Sequence, residues 1–178
     1  MSTGTNRNGS SSTATGTDGG TMADLAALRK SHLFQEMDET DLAALAPVFN
    51  EMDMAEGATI FIENMPGEML YLIREGTVRI SKMLAEGQEK TLVILGPEDV
   101  FGEMAILDSA PRSATARAVE KASLLCIKKD DFESICDRNP KLGLKLMRNI
   151  IRVFSRRIRE NNDEFRDMLI WSLGKRKS

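Results

Sequence analysis

After Gly57 the chain gives up helical spacing for a period of two and keeps it, through six short segments, as far as Lys128. Thr59–Glu63, Met69–Arg74, Thr77–Lys82, Thr91–Leu95, Ala114–Val119 and Leu124–Lys128 each read as a strand. Thr77–Lys82 alternates most cleanly, which predicts Val78 and Ile80 on the inner face. Between them lies turn chemistry: Asn64-Met65-Pro66-Gly67, Glu75-Gly76, the polar loop Ala85–Lys90, and Gly96-Pro97-Glu98-Asp99. Many short strands joined by Gly-bearing turns argue an antiparallel sandwich or barrel.

Helical spacing brackets this region. Leu25, Leu28 and Leu33-Phe34 predict a short helix running into a turn, and Asp38–Asp41 begins a second, with Leu42, Leu45 and Phe49 on one side. Asp130-Asp131-Phe132 opens another helix, which carries Ile135 and which Asn139-Pro140 ends or bends. The expected class is therefore mainly β with flanking helices. Residues 1–22 read as a disordered tail, 23–138 as the β unit with its N-terminal helices, and 139–178 as a long terminal helix. In the tail, Ser, Thr, Gly or Asn fill 17 of the first 21 positions, leaving nothing to bury. Translation starts at Met1 or at Met22.

With 178 residues and a 42% hydrophobic share, the chain can bury a core without disulfides or metal. Cys126, inside Leu124-Leu125-Cys126-Ile127, reads as a buried thiol, and two cysteines suit a reducing compartment. No apolar run is long enough for a membrane span and no secretory signal is present, so the expected location is the cytoplasm. A net charge of −3 gives no reason to expect general nucleic-acid binding. His32, the one histidine, has no partner at a catalytic or metal-ligating spacing and reads as a surface residue.

Within the apolar run Phe101–Thr115 stand one acid, Glu103, and one base, Arg112. Gly102 followed by a segment too short for an ordinary helix presents free backbone N–H groups, which suit an anion. Arg112 can close on the same anion through its forked guanidinium. Glu103, an acceptor when ionised, repels phosphate but holds a hydroxyl. Anion plus hydroxyl describes a sugar phosphate.

Phe-Gly-Glu-Met-Ala-Ile-Leu, a short spacer and Pro-Arg-Ser-Ala-Thr resemble the phosphate-binding cassette of the cyclic nucleotide-binding domain family. Gly57, Phe61, Asn64–Gly67, Tyr71, Gly76 and Val78 are similar to that family's barrel signature, so the resemblance covers roughly residues 30–138. It implies an antiparallel jelly-roll barrel with flanking helices. Glu98 departs from the pattern, standing where many members carry glycine. By the same resemblance, Gly102 admits and donates to the ligand, and Glu103 accepts from the ribose 2′-hydroxyl. The N–H groups near Met104 and Ala105 face the phosphate, Arg112 neutralises it, and Ser113 and Ala114 add donors. The alternative is that Glu103 and Arg112 pair with each other in a ligand-free barrel. Serine at 113 is found in bacterial cyclic-AMP regulators, yet its hydroxyl can also reach a guanine amino group, so cyclic AMP is expected ahead of cyclic GMP.

From Lys141 to about Leu173 the spacing is helical, with Leu144, Met147, Ile151, Phe154, Ile158, Asn161, Phe165, Met168 and Ser172 as a heptad seam. Leu142, Leu146 and Ile150 occupy another side. Two apolar faces imply two partners, the chain's own β unit and a second copy, so a homodimer is expected. This is similar to the dimerising helix of the bacterial regulators. There the resemblance aligns Asn161 and Asn162 with residues that cap the purine; alternatively Asn161 is a polar seam position that fixes register. Lys141, Lys145, Arg148, Arg152, Arg156 and Arg159 form a basic stripe, read as a solvated face. Met168–Trp171 is apolar nearly all round and suits a partner contact.

No nucleophile–base pair, metal spacing or triphosphate loop is present, so neither enzyme nor cofactor is expected. The sequence reaches Ser178 without a helix-turn-helix, and no kinase-inhibitor segment precedes the domain. Two functions remain: a cyclic nucleotide sensor relaying occupancy through its last helix to an unidentified protein, or a dimeric interaction module that binds no nucleotide.

Overall fold

The computed structural model describes residues 29–84 and 87–175. The tail expected over 1–22, the alternative start at Met22, Leu25 and Leu28 of the first predicted helix, and Ala85-Glu86 of the polar loop lie outside the described residues. A 3-10 turn (His32–Phe34), helix α1 (Glu39–Leu45) and a second 3-10 turn (Ala46–Val48) lead into the strands. These are β1 (Asn50–Met54), β2 (Thr59–Phe61), β3 (Met69–Glu75), β4 (Val78–Met83), β5 (Glu89–Leu95), β6 (Val100–Phe101), β7 (Thr115–Ala118) and β8 (Ala122–Lys128). Helix α2 (Glu103–Leu107) separates β6 from β7, and α3 (Lys129–Arg138) and α4 (Pro140–Lys175) follow β8. The fold is mainly β with flanking helices.

All strand pairs are antiparallel, in two four-stranded sheets ordered β1-β8-β3-β6 and β2-β7-β4-β5. Among the described residues no ladder joins the sheets, so they face each other with open edges.

Burial explains the strand sequences. Along β3, Tyr71 and Ile73 enter the space between the sheets, while Leu70 and Leu72 pack with the helices on the other side. On β8, Leu124 and Cys126 point inward and Leu125 and Ile127 outward to the helices. Strands covered on both faces carry near-continuous apolar runs, as these two do. In β4, Val78 and Ile80 lie in the inter-sheet core as the alternation predicted. Cys126 is the buried free thiol expected, and burial raises its pKa.

Two strands escaped the sequence reading. β1 is Asn-Glu-Met-Asp-Met, an edge strand whose Met52 and Met54 pack inward between acidic residues of poor strand propensity. β6 has two residues, too few for any period to register. The helix at Asp38 formed as expected: the Asp38 carboxylate accepts from Asp41 N at 2.9 Å, and Asp41 accepts from Asp38 N at 3.1 Å.

Helix α4 is fastened along its first half. Leu142, Leu146 and Ile150 are buried among Leu33, Phe34, Leu42 and Phe132. Asn149, 1% exposed, donates to the carbonyls of Leu33 (3.0 Å) and Gln35 (2.7 Å), holding the N-terminal turn to the helix. Lys145 pairs with Asp41, and Arg152 with Glu36 at 3.0 Å, so the basic stripe is partly spent on α1 and the turn before it. His32 is exposed, as expected. The seam residues Leu144, Ile151, Ile158, Phe165 and Met168 are all exposed.

Candidate functional site

The stretch from β6 to β7 gathers the polar groups of the site around a kink that its sequence dictates. Gly102 caps α2 at φ +77°, a conformation open to glycine. A Cβ there would lie 2.7 Å from a guanidinium nitrogen of Arg112 and 3.0 Å from the Met69 carbonyl oxygen. Glycine therefore opens the seat that Arg112 occupies. From that seat Arg112 donates to the carbonyls of Gly102 (3.0 Å) and Met69 (2.9 Å) and lies 4.1 Å above the Phe61 ring. Phe61, Tyr71 and Phe101 form a ring cluster with centroids 5.0–5.9 Å apart, the apolar floor beneath the site.

Arg112 is 5% exposed, its Nε has no hydrogen-bond partner, and no carboxylate pairs with it among the described residues. Burial lowers its pKa, opposed by Tyr71 and Glu103, and a guanidinium stays charged at neutral pH regardless. A buried cation without a counter-charge is costly unless an anion meets it. Glu103 is also buried, and its carboxylate lies 3.6 Å from Arg157 of α4. Arg157 further donates to the Val100 carbonyl and stands 4.0 Å from Asp99. Glu103 and Arg112 form no ion pair with each other; the Glu103 carboxylate meets Arg157 instead.

Both line one cavity of about 360 Å³. Gly102, Met104, Ser113, Ala114 and Asn161 line it too, as do Phe61, Phe101, Ile80, Lys82, Leu92, Val93, Leu95, Phe154, Arg157 and Ile158. The first N–H groups of α2, where Met104 and Ala105 stand, have no acceptor inside the helix. Asn162 is exposed and is not part of the lining; a step of about 100° around the helix separates it from Asn161.

The sequence reading missed Arg157, Phe154 and Lys82. Arg157 lies four residues before Asn161, so helical spacing alone puts them on one face. Lys82 continues the inward row Val78, Ile80. Among the described residues no cluster of His, Cys, Asp and Glu could hold a metal, and no helix is long and apolar enough to cross a membrane.

Residues 51–139 match the cyclic nucleotide-binding domain family. The CRP-like cAMP-activated global transcriptional regulator of Mycobacterium tuberculosis is 32% identical over 80% of this chain and 62% of its own. The catabolite activator protein of Thermus thermophilus superposes with a TM-score of 0.68 at 34% identity, covering 78% of this chain and 63% of that one. The regulatory domain of Toxoplasma gondii PKA, solved with cAMP, gives 0.58 at 34% identity over 62% of this chain and 42% of that one. The chain spans about three-fifths of the length of the curated relatives it matches. These relatives are named as a transcriptional regulator and a cyclic AMP receptor protein. A buried acid and a buried arginine without an ion-pair partner among the described residues, beside an apolar floor, on this fold and in this sequence, give one conclusion: the chain belongs to the cyclic nucleotide-binding domain family.

Proposed function

We propose that the chain is a cytoplasmic cyclic nucleotide sensor that signals through α4. The observation that carries this reading is Arg112, a buried guanidinium that lines the cavity and has no ion-pair partner among the described residues. A cyclic diester supplies the single negative charge, the N–H groups at the start of α2 add donors, and Glu103 takes the ribose 2′-hydroxyl. Cyclic AMP is the first ligand to test, because one relative at 32% identity is named for it and a neighbour at 34% is solved with it; cyclic GMP is the second. Residues 23–138 serve as the binding unit and 139–178 as the element that reports occupancy to a downstream protein. Thermal unfolding tests the binding. Saturating cyclic nucleotide is expected to stabilise the protein by about 2.7 kcal/mol at a hundredfold excess over Kd, and 5′-AMP is not. No shift with either cyclic nucleotide favours the alternative, an interaction module without a ligand.

The exposed seam Leu144, Ile151, Ile158 and Phe165 repeats every seven residues and suits a second copy of the helix. A homodimer is the expected species in sedimentation at about 50 µM chain with nucleotide bound. A monomer under those conditions contradicts the seam. Asn161 then either contacts the purine from the cavity wall or sets the register of the seam, and Asn162 reaches a nucleotide only from outside the lining.

A further inference from the structure

We infer that Lys82 is a specificity-determining residue that favours purines with an oxygen at position 6. This rests on the cyclic nucleotide reading of the cavity. With phosphate at Arg112 and sugar hydroxyl at Glu103, the base is left the apolar wall of Ile80, Leu92, Val93 and Ile158. Lys82 lines that same cavity, ending the inward row of β4 with an ammonium where the two preceding inward residues are apolar.

The ammonium has two partners and is half exposed. Its nitrogen lies 3.5 Å from a carboxylate oxygen of Glu63, whose other oxygen accepts from Met83 N at 3.0 Å. A second N–H is directed at the Ser113 carbonyl, 3.4 Å away. An ammonium has three donors and no acceptor. The third has no partner among the described residues. A purine edge offers two kinds of group at position 6: guanine and hypoxanthine present an acceptor oxygen, adenine an amino donor. A spare donor on this half-exposed cation pairs with the first and offers the second nothing.

The test compares Lys82→Met with the unaltered chain, measuring Kd for cyclic AMP, cyclic GMP and cyclic IMP. Cyclic IMP carries the 6-oxygen without the 2-amino group, so it isolates position 6 from any contact to Ser113. Lys82→Met is expected to weaken cyclic GMP and cyclic IMP about five- to tenfold, a charged hydrogen bond discounted for half exposure, with cyclic AMP unchanged within about twofold. Lys82→Ala, which also removes the stem, serves as the second variant and is expected to move the ratio in the same direction. Equal weakening of all three nucleotides would make Lys82 a general phosphate-attracting cation and overturn the assignment, as would no change in any. If the unaltered chain binds none of the three, the underlying reading of the cavity fails, and with it the role of Lys82.

Discussion

Arg112→Ala is expected to weaken cyclic nucleotide binding tens- to thousands-fold, the outcome of removing one partner from a buried charged contact at about 2–5 kcal/mol. The size follows from where the side chain sits. At 5% exposure its charge is little screened by water, and the ring of Phe61, 4.1 Å below, fixes the plane of the fork. Arg112 also donates to two carbonyls, so its loss costs folding stability as well as affinity. Calorimetry on Arg112→Ala and Arg112→Lys, each verified as folded by circular dichroism, separates the two effects. Lysine keeps the charge and loses the fork, so it is expected to fall between alanine and the unaltered chain. A loss below threefold for alanine contradicts the assigned role.

The largest effect on stability is expected at Gly76, between β3 and β4. A Cβ there would meet the Lys121 carbonyl oxygen at 2.4 Å and the Ala122 Cα at 2.7 Å, both backbone atoms that cannot swing aside. The φ of +84° adds a left-handed penalty. Gly76→Ala is expected to cost on the order of 3 kcal/mol or more by urea unfolding. Gly57→Ala is the control: its φ is +74°, but nothing lies within 4 Å of an added Cβ. It should cost only the conformational part, about 1–2 kcal/mol. If the two variants lose equal stability, the close approach beneath Gly76 contributes nothing.

These positions mark how far the sequence could be read. Strands β3 and β8 were legible because Leu and Ile fill both of their faces, and α4 because its seam repeats over many turns. The cassette was legible because Gly102, Glu103 and Arg112 are polar or special residues set in an apolar run. What stayed hidden depended on contacts between distant segments. Nothing local in Asn50–Met54 says that β8 will pair with it, and nothing near Glu103 says that Arg157, more than fifty residues later, will face its carboxylate. Lys82 ends an alternating strand as one more polar residue, and its contacts with Glu63 and Ser113 come from segments 19 and 31 positions away. Glu98, noted as a departure from glycine, adopts φ +74°, the turn geometry that glycine serves without strain.

The cavity lined by α2, β4, β5 and α4 is expected to take a cyclic nucleotide. Calorimetric titration of the unaltered chain with cyclic AMP and with cyclic GMP, using 5′-AMP as the uncyclised control, tests it directly. The expected result is saturable heat at one site per chain for at least one cyclic nucleotide and none for 5′-AMP. Absence of binding by both cyclic nucleotides, or equal binding of 5′-AMP, would contradict it.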